Sequence, residues 1–267
     1  MYPWRRVLIP TDFSTAARWA FDNAIHVAGS TGAELVILHI RMTRASRPDE
    51  LRFPADEVIY SYAEEYELEA LRQRARELNA SVVTRLLVRQ APAAGAEIQR
   101  AAREELADLV VIPTHARHHV AHLLIGSTTL SVLDGPPAPV LAVRYGTKRR
   151  RQMCRLVVPV HPKQTSKAAA QLGAAIAAHE AGELHLLVIS EHAGRDAANA
   201  CAGEIASSLT NVKSEQVILE GENVEREIVR YAHRIDADAI LLQGTIGSVK
   251  RAIIRSAETP VMIVPSQ

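Results

Sequence analysis

The sequence is poor in cysteine and contains no long apolar run. Cys154 and Cys201 are its only cysteines, and no closely spaced pair exists that could form a thiolate metal site or a disulfide framework. No stretch approaches the roughly 18 continuous apolar residues that span a bilayer. The first residues, Met1 to Arg6, also lack the apolar core of a signal peptide. We therefore expect a protein that stays in the reducing cytoplasm and has no membrane partner.

Neither sign of charge is in excess. The 31 Lys and Arg residues nearly balance the 30 Asp and Glu residues, which argues against a nucleic-acid partner. The hydrophobic fraction is 48% and the charged fraction is 23%, as in folded proteins rather than disordered ones. The 267 residues are enough for one large domain or for two of about 130 residues each.

The chain contains an internal repeat, which decides between these two possibilities. Five segments of the first half, 6–10, 32–39, 97–102, 107–112 and 139–143, return as 155–159, 181–188, 227–232, 237–242 and 260–264. The offset between the copies falls from 149 to 130 and then to 121, so the second copy lacks 19 residues in its middle and 9 more after its fourth strand. We predict two domains, residues 1–146 and 153–267, joined by a charged linker.

Each copy alternates short apolar runs with helical segments, which is typical of βα units around a parallel sheet. In the first copy we predict strands at 7–9, 35–40, 82–88, 109–112 and 140–143. We predict helices from Ser14 to Gly29 or Gly32, over 57–79, and from Pro92 onward. The fold class is therefore α/β, with two tandem open five-stranded parallel sheets.

Polar and glycine residues gather where the predicted strands of the first copy end. Ligands bind at this edge of an open parallel sheet, near the point where the strand order reverses. The first strand ends in Pro10-Thr11-Asp12, and Gly126-Ser127-Thr128 opens the last helix, thirteen residues after Pro113. Taken alone, Asp12 could cap the following helix, and Gly126-Ser127-Thr128 could be an ordinary helix cap.

The strand end and this spacing together resemble the universal stress protein family. The first strand of that family typically ends in Pro-Thr-Asp, and its phosphate loop reads Gly, two residues, Gly, nine residues, Gly, then Ser or Thr. Gly126 and Ser127 take the last two places of that loop, while Pro113 and Ala116 stand where the first two glycines would be. Proline has no N–H, and alanine in a left-handed conformation costs about 1–2 kcal/mol, so we expect weakened phosphate binding.

The resemblance implies a Rossmann-like, adenine nucleotide alpha hydrolase-like fold and a site for ATP or AMP, with or without Mg²⁺. It assigns Asp12 to the base or ribose and the backbone of Ile40 to adenine. It places the phosphates at the helix start at Gly126, where N–H groups and the helix dipole favour anions. The full predicted set is Pro10, Thr11, Asp12, Ile40, Pro113, His115, Ala116, Arg117, Gly126, Ser127 and Thr128.

The second copy departs further from the family pattern. His161 takes the place of Asp12, Gln243 and Ile246 take the places of loop glycines, and the 9-residue deletion removes the loop itself. We interpret this copy as structural. We expect it to dock on the first copy through the fifth strands as an intramolecular pseudo-dimer, with a homodimer as a further possibility.

A histidine cluster lies inside the predicted loop. His115, His118, His119 and His122 would share one helical face, and neutral imidazoles in that arrangement can bind Zn²⁺ or Cu²⁺. No neighbouring cysteine or carboxylate supports such a site, so exposed polar histidines are the simpler interpretation.

The sequence thus favours an adenine-nucleotide-binding protein of the stress response, with its site in the first domain. The alternatives are a scaffold or signalling partner without nucleotide, and a slow ATPase. No Walker-type motif, HExxH motif or GxSxG nucleophile motif is present, and we assign no catalytic residue.

Overall fold

The apolar runs of both copies form strands of one mixed sheet. The computed structural model describes residues 2–43, 54–114, 125–147, 152–160, 166–190 and 195–266. The first half contains β1 (Arg6–Thr11), α1 (Thr15–Thr31), β2 (Glu34–Met42), α2 (Pro54–Leu78), β3 (Thr84–Ala91), α3 (Ala94–Glu104), β4 (Leu109–Pro113), α4 (Ser127–Leu133) and β5 (Val140–Val143). The second half contains β6 (Arg155–Val160), α5 (Lys167–His179), β7 (Glu183–Ser190), α6 (Arg195–Ser207), β8 (Lys213–Glu220), α7 (Val224–Arg234), β9 (Ala239–Gln243), α8 (Ser248–Ser256) and β10 (Val261–Val264).

The sheet has ten strands in the order β3-β2-β1-β4-β5-β10-β9-β6-β7-β8. Neighbouring strands are parallel within each half. The halves meet where β5 and β10 pair in antiparallel fashion, with Leu141 opposite Met262. The predicted α/β class with two open parallel five-stranded sheets is confirmed, and the pairing of β5 with β10 joins them into one sheet.

Both faces of the sheet are buried, as a parallel sheet covered by helices requires. Along β1, Val7 and Ile9 face one core together with Phe21 of α1, whereas Leu8 faces the other core together with Ile98 of α3. The second half repeats this division with α5 on the first face and α7 on the second. In the described residues, no helix is long and apolar enough to cross a bilayer.

Helix α1 begins and ends at the residues that the sequence suggested. The Ser14 side chain accepts a hydrogen bond from the Ala17 N–H at 3.2 Å, and Gly32 ends the helix with φ of 70°. Gly29 does not end it, because it lies inside the helix. A Cβ there would lie 2.2 Å from Asn79 Nδ2, so Gly29 serves close packing instead.

Two other predicted element starts differ from the structure. Pro92 does not open α3, because the helix begins at Ala94 with Ala93 in extended conformation before it. The third strand runs over Thr84–Ala91 rather than 82–88, since Val82 and Val83 lie in the connection between α2 and β3. The domain limits 1–146 and 153–267 stay a prediction.

The amino-terminal segment strengthens the contact between the halves. Trp4 is only 2% exposed, and the Tyr2 ring meets both the Trp4 ring and the His179 ring edge to face. The Tyr2 hydroxyl donates to Glu180 at 3.1 Å, and burial raises the pKa of this phenol. Residues before β1 therefore hold α5 of the second half.

Candidate functional site

A crevice opens where the strand order reverses in the first half. β1 pairs with β2 along six residues, from Arg6 opposite Glu34 to Thr11 opposite His39. Its recorded pairing with β4 covers only Val7 and Leu8. The two strands therefore separate toward their carboxyl ends, where the chain turns to opposite sides of the sheet.

The turn after β1 carries Asp12 at the mouth of this crevice. Asp12 is exposed, and its Oδ1 accepts a hydrogen bond from the Ser14 N–H at 3.1 Å. The Phe13 N–H donates to Thr11 Oγ1 at 3.0 Å. Phe13 adopts φ of 61°, a left-handed conformation that costs a non-glycine residue about 1–2 kcal/mol. Ser14 rather than Asp12 caps α1, so the aspartate shapes the turn and does not serve as the helix cap.

The other predicted residues of β1 and β2 take different positions around the crevice. Pro10 and Thr11 are buried, and Thr11 is 7% exposed. Ile40 is half-buried and packs against the core that contains α3. The recorded pairing with β1 stops one residue earlier, at His39, so one backbone edge of Ile40 lies beyond the end of β1.

The end of β4 is tied to the start of α4. The Gly126 N–H donates to the Thr114 carbonyl at 3.0 Å, and Thr129 Oγ1 donates to the Pro113 carbonyl at 2.8 Å. Gly126 has an ordinary φ of −62°, and no side chain caps α4 in the part of the chain that is described. Ser127 is exposed and Thr128 is half-buried. The Gly126 amide is thus engaged within the protein.

Several predicted residues lie outside the described ranges. These are His115, Ala116, Arg117 and the remaining histidines of the cluster, His118, His119 and His122. Within the described residues, no group of three or more His, Cys, Asp or Glu side chains is arranged to hold a metal ion.

Sequence reasoning missed the contacts behind the Asp12 turn. The Phe13 ring stacks on the His39 ring, with centroids 4.5 Å apart and planes 29° apart. His39 is 8% exposed, and its Nδ1 lies 3.0 Å from the Thr11 carbonyl oxygen. A histidine at the end of an apolar strand was the only signal for this contact.

The comparisons with known proteins agree with this architecture. The family model described as the universal stress protein family matches residues 3–144, more than half of the chain. The chain belongs to the universal stress protein family.

Two solved structures show the same fold over nearly all of the chain, and a third is similar to part of it. A universal stress protein from Archaeoglobus fulgidus superposes with a TM-score of 0.74 at 19% identity, covering 97% of this chain and 96% of that one. A Pseudomonas aeruginosa protein assigned to the family gives 0.63 at 16% identity, covering 98% and 94%. A second Archaeoglobus fulgidus universal stress protein, solved with dAMP, gives 0.38 at 22% identity, covering 41% of this chain and 96% of that one.

In the second half of this universal stress protein, two side chains bind backbone groups at the equivalent strand end. Gln243, at the end of β9, accepts hydrogen bonds from the Ala168 N–H at 2.8 Å and the Ala169 N–H at 3.2 Å, and so caps α5. Lys250 of α8 donates to the Gln243 carbonyl and, at 3.0 Å, to the Thr245 carbonyl. Burial lowers the pKa of the Lys250 ammonium group. His161 lies outside the described residues.

Proposed function

We propose that this universal stress protein binds an adenine nucleotide, ATP or AMP, in the crevice of the first domain, residues 1–146. The observation that carries the proposal is the contrast at the two strand-order reversals. In the first half, the exposed Asp12 turn and a start of α4 that no described side chain caps lie at the strand ends. In the second half, Gln243 binds the start of α5 and Lys250 binds backbone carbonyls at the end of β9. We accordingly assign a structural role to the second domain, residues 153–267.

The chemistry of the first crevice suits a nucleoside phosphate. The Asp12 carboxylate can accept hydrogen bonds from ribose hydroxyls or from the adenine amino group. The backbone of Ile40, beyond the end of β1, can meet the edge of the base. Ser127 and Thr128 offer hydroxyls to phosphate. Arg117 is the Lys or Arg residue nearest to them in the sequence and offers a positive charge to the same group. ATP would bring Mg²⁺ with its phosphates, whereas AMP would not need it.

The cellular part of the proposal rests on family membership. We assign the protein to the stress response in the cytoplasm. The antiparallel pairing of β5 with β10 supports an intramolecular pseudo-dimer, in which nucleotide binding in one domain is passed to the other through the shared sheet.

Titration calorimetry with AMP and ATP tests the proposal. We expect Asp12→Ala to weaken AMP binding about tenfold or more, because a charge-assisted hydrogen bond is lost. Asp134→Ala, an exposed aspartate at the other end of α4, serves as the matched control and should bind within about twofold of wild type. Equal heats for wild type and Asp12→Ala would contradict the assignment of Asp12.

A scaffold without nucleotide is the second candidate function. Two observations favour it: Pro113 has no N–H to offer, and the Gly126 N–H is engaged with Thr114. Mass spectrometry of the small molecules released from the denatured protein separates the two functions. A co-purifying adenine nucleotide rejects the scaffold, while no released nucleotide and no binding heat support it.

A further inference from the structure

The Asp12 turn has an outer side and an inner side. Asp12 faces outward at the end of β1, while the Phe13 ring points inward and stacks on His39. Because Phe13 holds a left-handed conformation, contacts on its inner side have to maintain the turn. Those contacts lead to α2.

The first connection to α2 passes through His39 and Glu64. His39 Nε2 lies 3.4 Å from Glu64 Oε1, while His39 Nδ1 contacts the Thr11 carbonyl. The second oxygen of Glu64 accepts a hydrogen bond from Arg41 Nε, near the end of β2. Glu64 therefore joins α2 to the strand that supports the Phe13 ring.

The second connection passes through Arg18 and Glu67. Arg18 Nε donates to the Phe13 carbonyl at 3.3 Å, and Arg18 Nη2 binds Glu67 Oε2 at 2.6 Å. Glu64 and Glu67 are three residues apart on α2 and so lie on the same face of the helix. Both connections end on Phe13, the residue that follows Asp12.

The second half has no counterpart of either connection among its described residues. Val188 takes the place of His39 and Lys167 takes the place of Arg18 at the offset of 149. Helix α6 has 13 residues against 25 in α2, since the 19-residue deletion falls on this helix and on the connection before it. The half in which Gln243 caps α5 is thus the half that lacks these links among its described residues.

We propose that Glu64 and Glu67 are positioning residues that hold the Asp12 turn in the conformation that receives the nucleotide. The proposal rests on the proposed function. It makes α2 part of the binding machinery through the contacts of the glutamates with His39 and Arg18.

The test compares AMP binding by wild type, the Glu64→Gln and Glu67→Gln double variant, and Glu69→Gln. Glu69 lies on the same helix but pairs only with Arg72 and Arg76 in the recorded ion pairs, so it serves as the matched control. We expect the double variant to bind AMP about fivefold more weakly and the control to bind within about twofold. In an Asp12→Ala background the double variant should cause no further loss, because the glutamates act through Asp12.

A second measurement does not depend on nucleotide. Amide hydrogen exchange of Phe13 and Ser14 should be about threefold faster or more in the double variant, at an unchanged thermal transition. If wild type binds AMP but the double variant shows unchanged affinity and unchanged exchange, the positioning role is overturned and the proposed function stands. If wild type binds no AMP or ATP, both the function and this inference fall.

Discussion

The two halves of the chain share the same framework of strands and helices and differ at the carboxyl ends of the strands. At the carboxyl ends of the strands, the first half has the Asp12 turn, and the second half has Gln243 bound to the start of α5 and Lys250 bound to backbone carbonyls. At the amino ends the halves use equivalent contacts. The amino ends of the strands therefore serve the fold in both halves, whereas the carboxyl ends differ and are available for function.

The amino-end contacts repeat residue by residue. Arg6 pairs with Glu34 at 2.8 Å, and its equivalent Arg155 pairs with Glu183 at 2.9 Å. The Arg6 N–H donates to Asp108 at 3.0 Å, as the Arg155 N–H does to Asp238 at 2.8 Å. These contacts fix how β1 and β6 enter the sheet, so we expect them to matter for stability in both halves.

The largest expected effect tests how tightly this framework is built in the second half. Gly182 stands where the first half has Ala33, yet a Cβ on Gly182 would lie 1.9 Å from the Cys154 carbonyl oxygen. We expect Gly182→Ala to lower the free energy of unfolding by about 3 kcal/mol in urea denaturation, because backbone atoms have to move. Gly203→Ala, with nothing within 4 Å of the added atom, should be neutral or stabilising. Equal stability of Gly182→Ala and wild type would show that the two halves tolerate alanine alike.

A smaller effect tests the contact of Gln243 with the start of α5. Gln243→Leu removes the acceptor of two N–H groups at the start of α5, and we expect a loss of about 1–2 kcal/mol in unfolding free energy. Ser14→Ala removes the single side-chain cap of α1 and should cost about 1 kcal/mol. AMP affinity of Gln243→Leu should equal that of wild type by calorimetry. A weaker affinity would mean that the strand ends of the second half contribute to binding.

The smallest effect concerns the repeated carboxylates and pH. Hydrogen bonds from Lys213 and Arg155 lower the pKa of Glu183 from 4.5 to about 2. A depressed folded-state pKa stabilises the protein above the unfolded value and ceases to do so as pH falls through the folded value. Glu183→Gln should therefore have a lower urea midpoint than wild type at pH 6, and the gap should close between about pH 4.5 and about pH 2.

Glu34 allows the same measurement in the first half. Burial raises the pKa of Glu34, but hydrogen bonds from Arg85 and Arg6 outweigh burial and lower it overall. Glu34→Gln should show a gap of the same sign. A gap that stays constant from pH 6 to pH 2.5 in either variant would mean that these carboxylates do not titrate with unfolding.

The framework could be predicted from the sequence because it depends on local pattern and repetition. The predicted fifth strand, 140–143, matches β5 to the residue, and Ser14 and Gly32 bound α1 as their side-chain chemistry suggests. The β5–β10 contact was expected from the family resemblance. The prediction that α1 could end at Gly29 was wrong, because Gly29 instead allows close approach to Asn79. The pattern of a single sequence does not reveal such a contact.

The surroundings of the candidate site were less predictable for a physical reason. Strand ends and spacing in the sequence indicate Asp12 and Gly126. Glu64 and Glu67 lie on α2 and act on the turn through His39 and Arg18, and no repeated segment of the sequence includes them. Gln243 was interpreted as a lost glycine position, and its capping of α5 depends on a contact 75 residues away in sequence.

The antiparallel joint between β5 and β10 also determines how the two halves respond to dilution. In two separate chains, pairing through an edge strand depends on protein concentration. Here both edges belong to one polypeptide, so the partner is present at a fixed effective concentration however dilute the protein becomes. β3 and β8 remain as the outer strands of the described sheet, and β8 opens with the exposed residues Lys213 to Gln216. Exposed charges at such an edge oppose the addition of a further strand there.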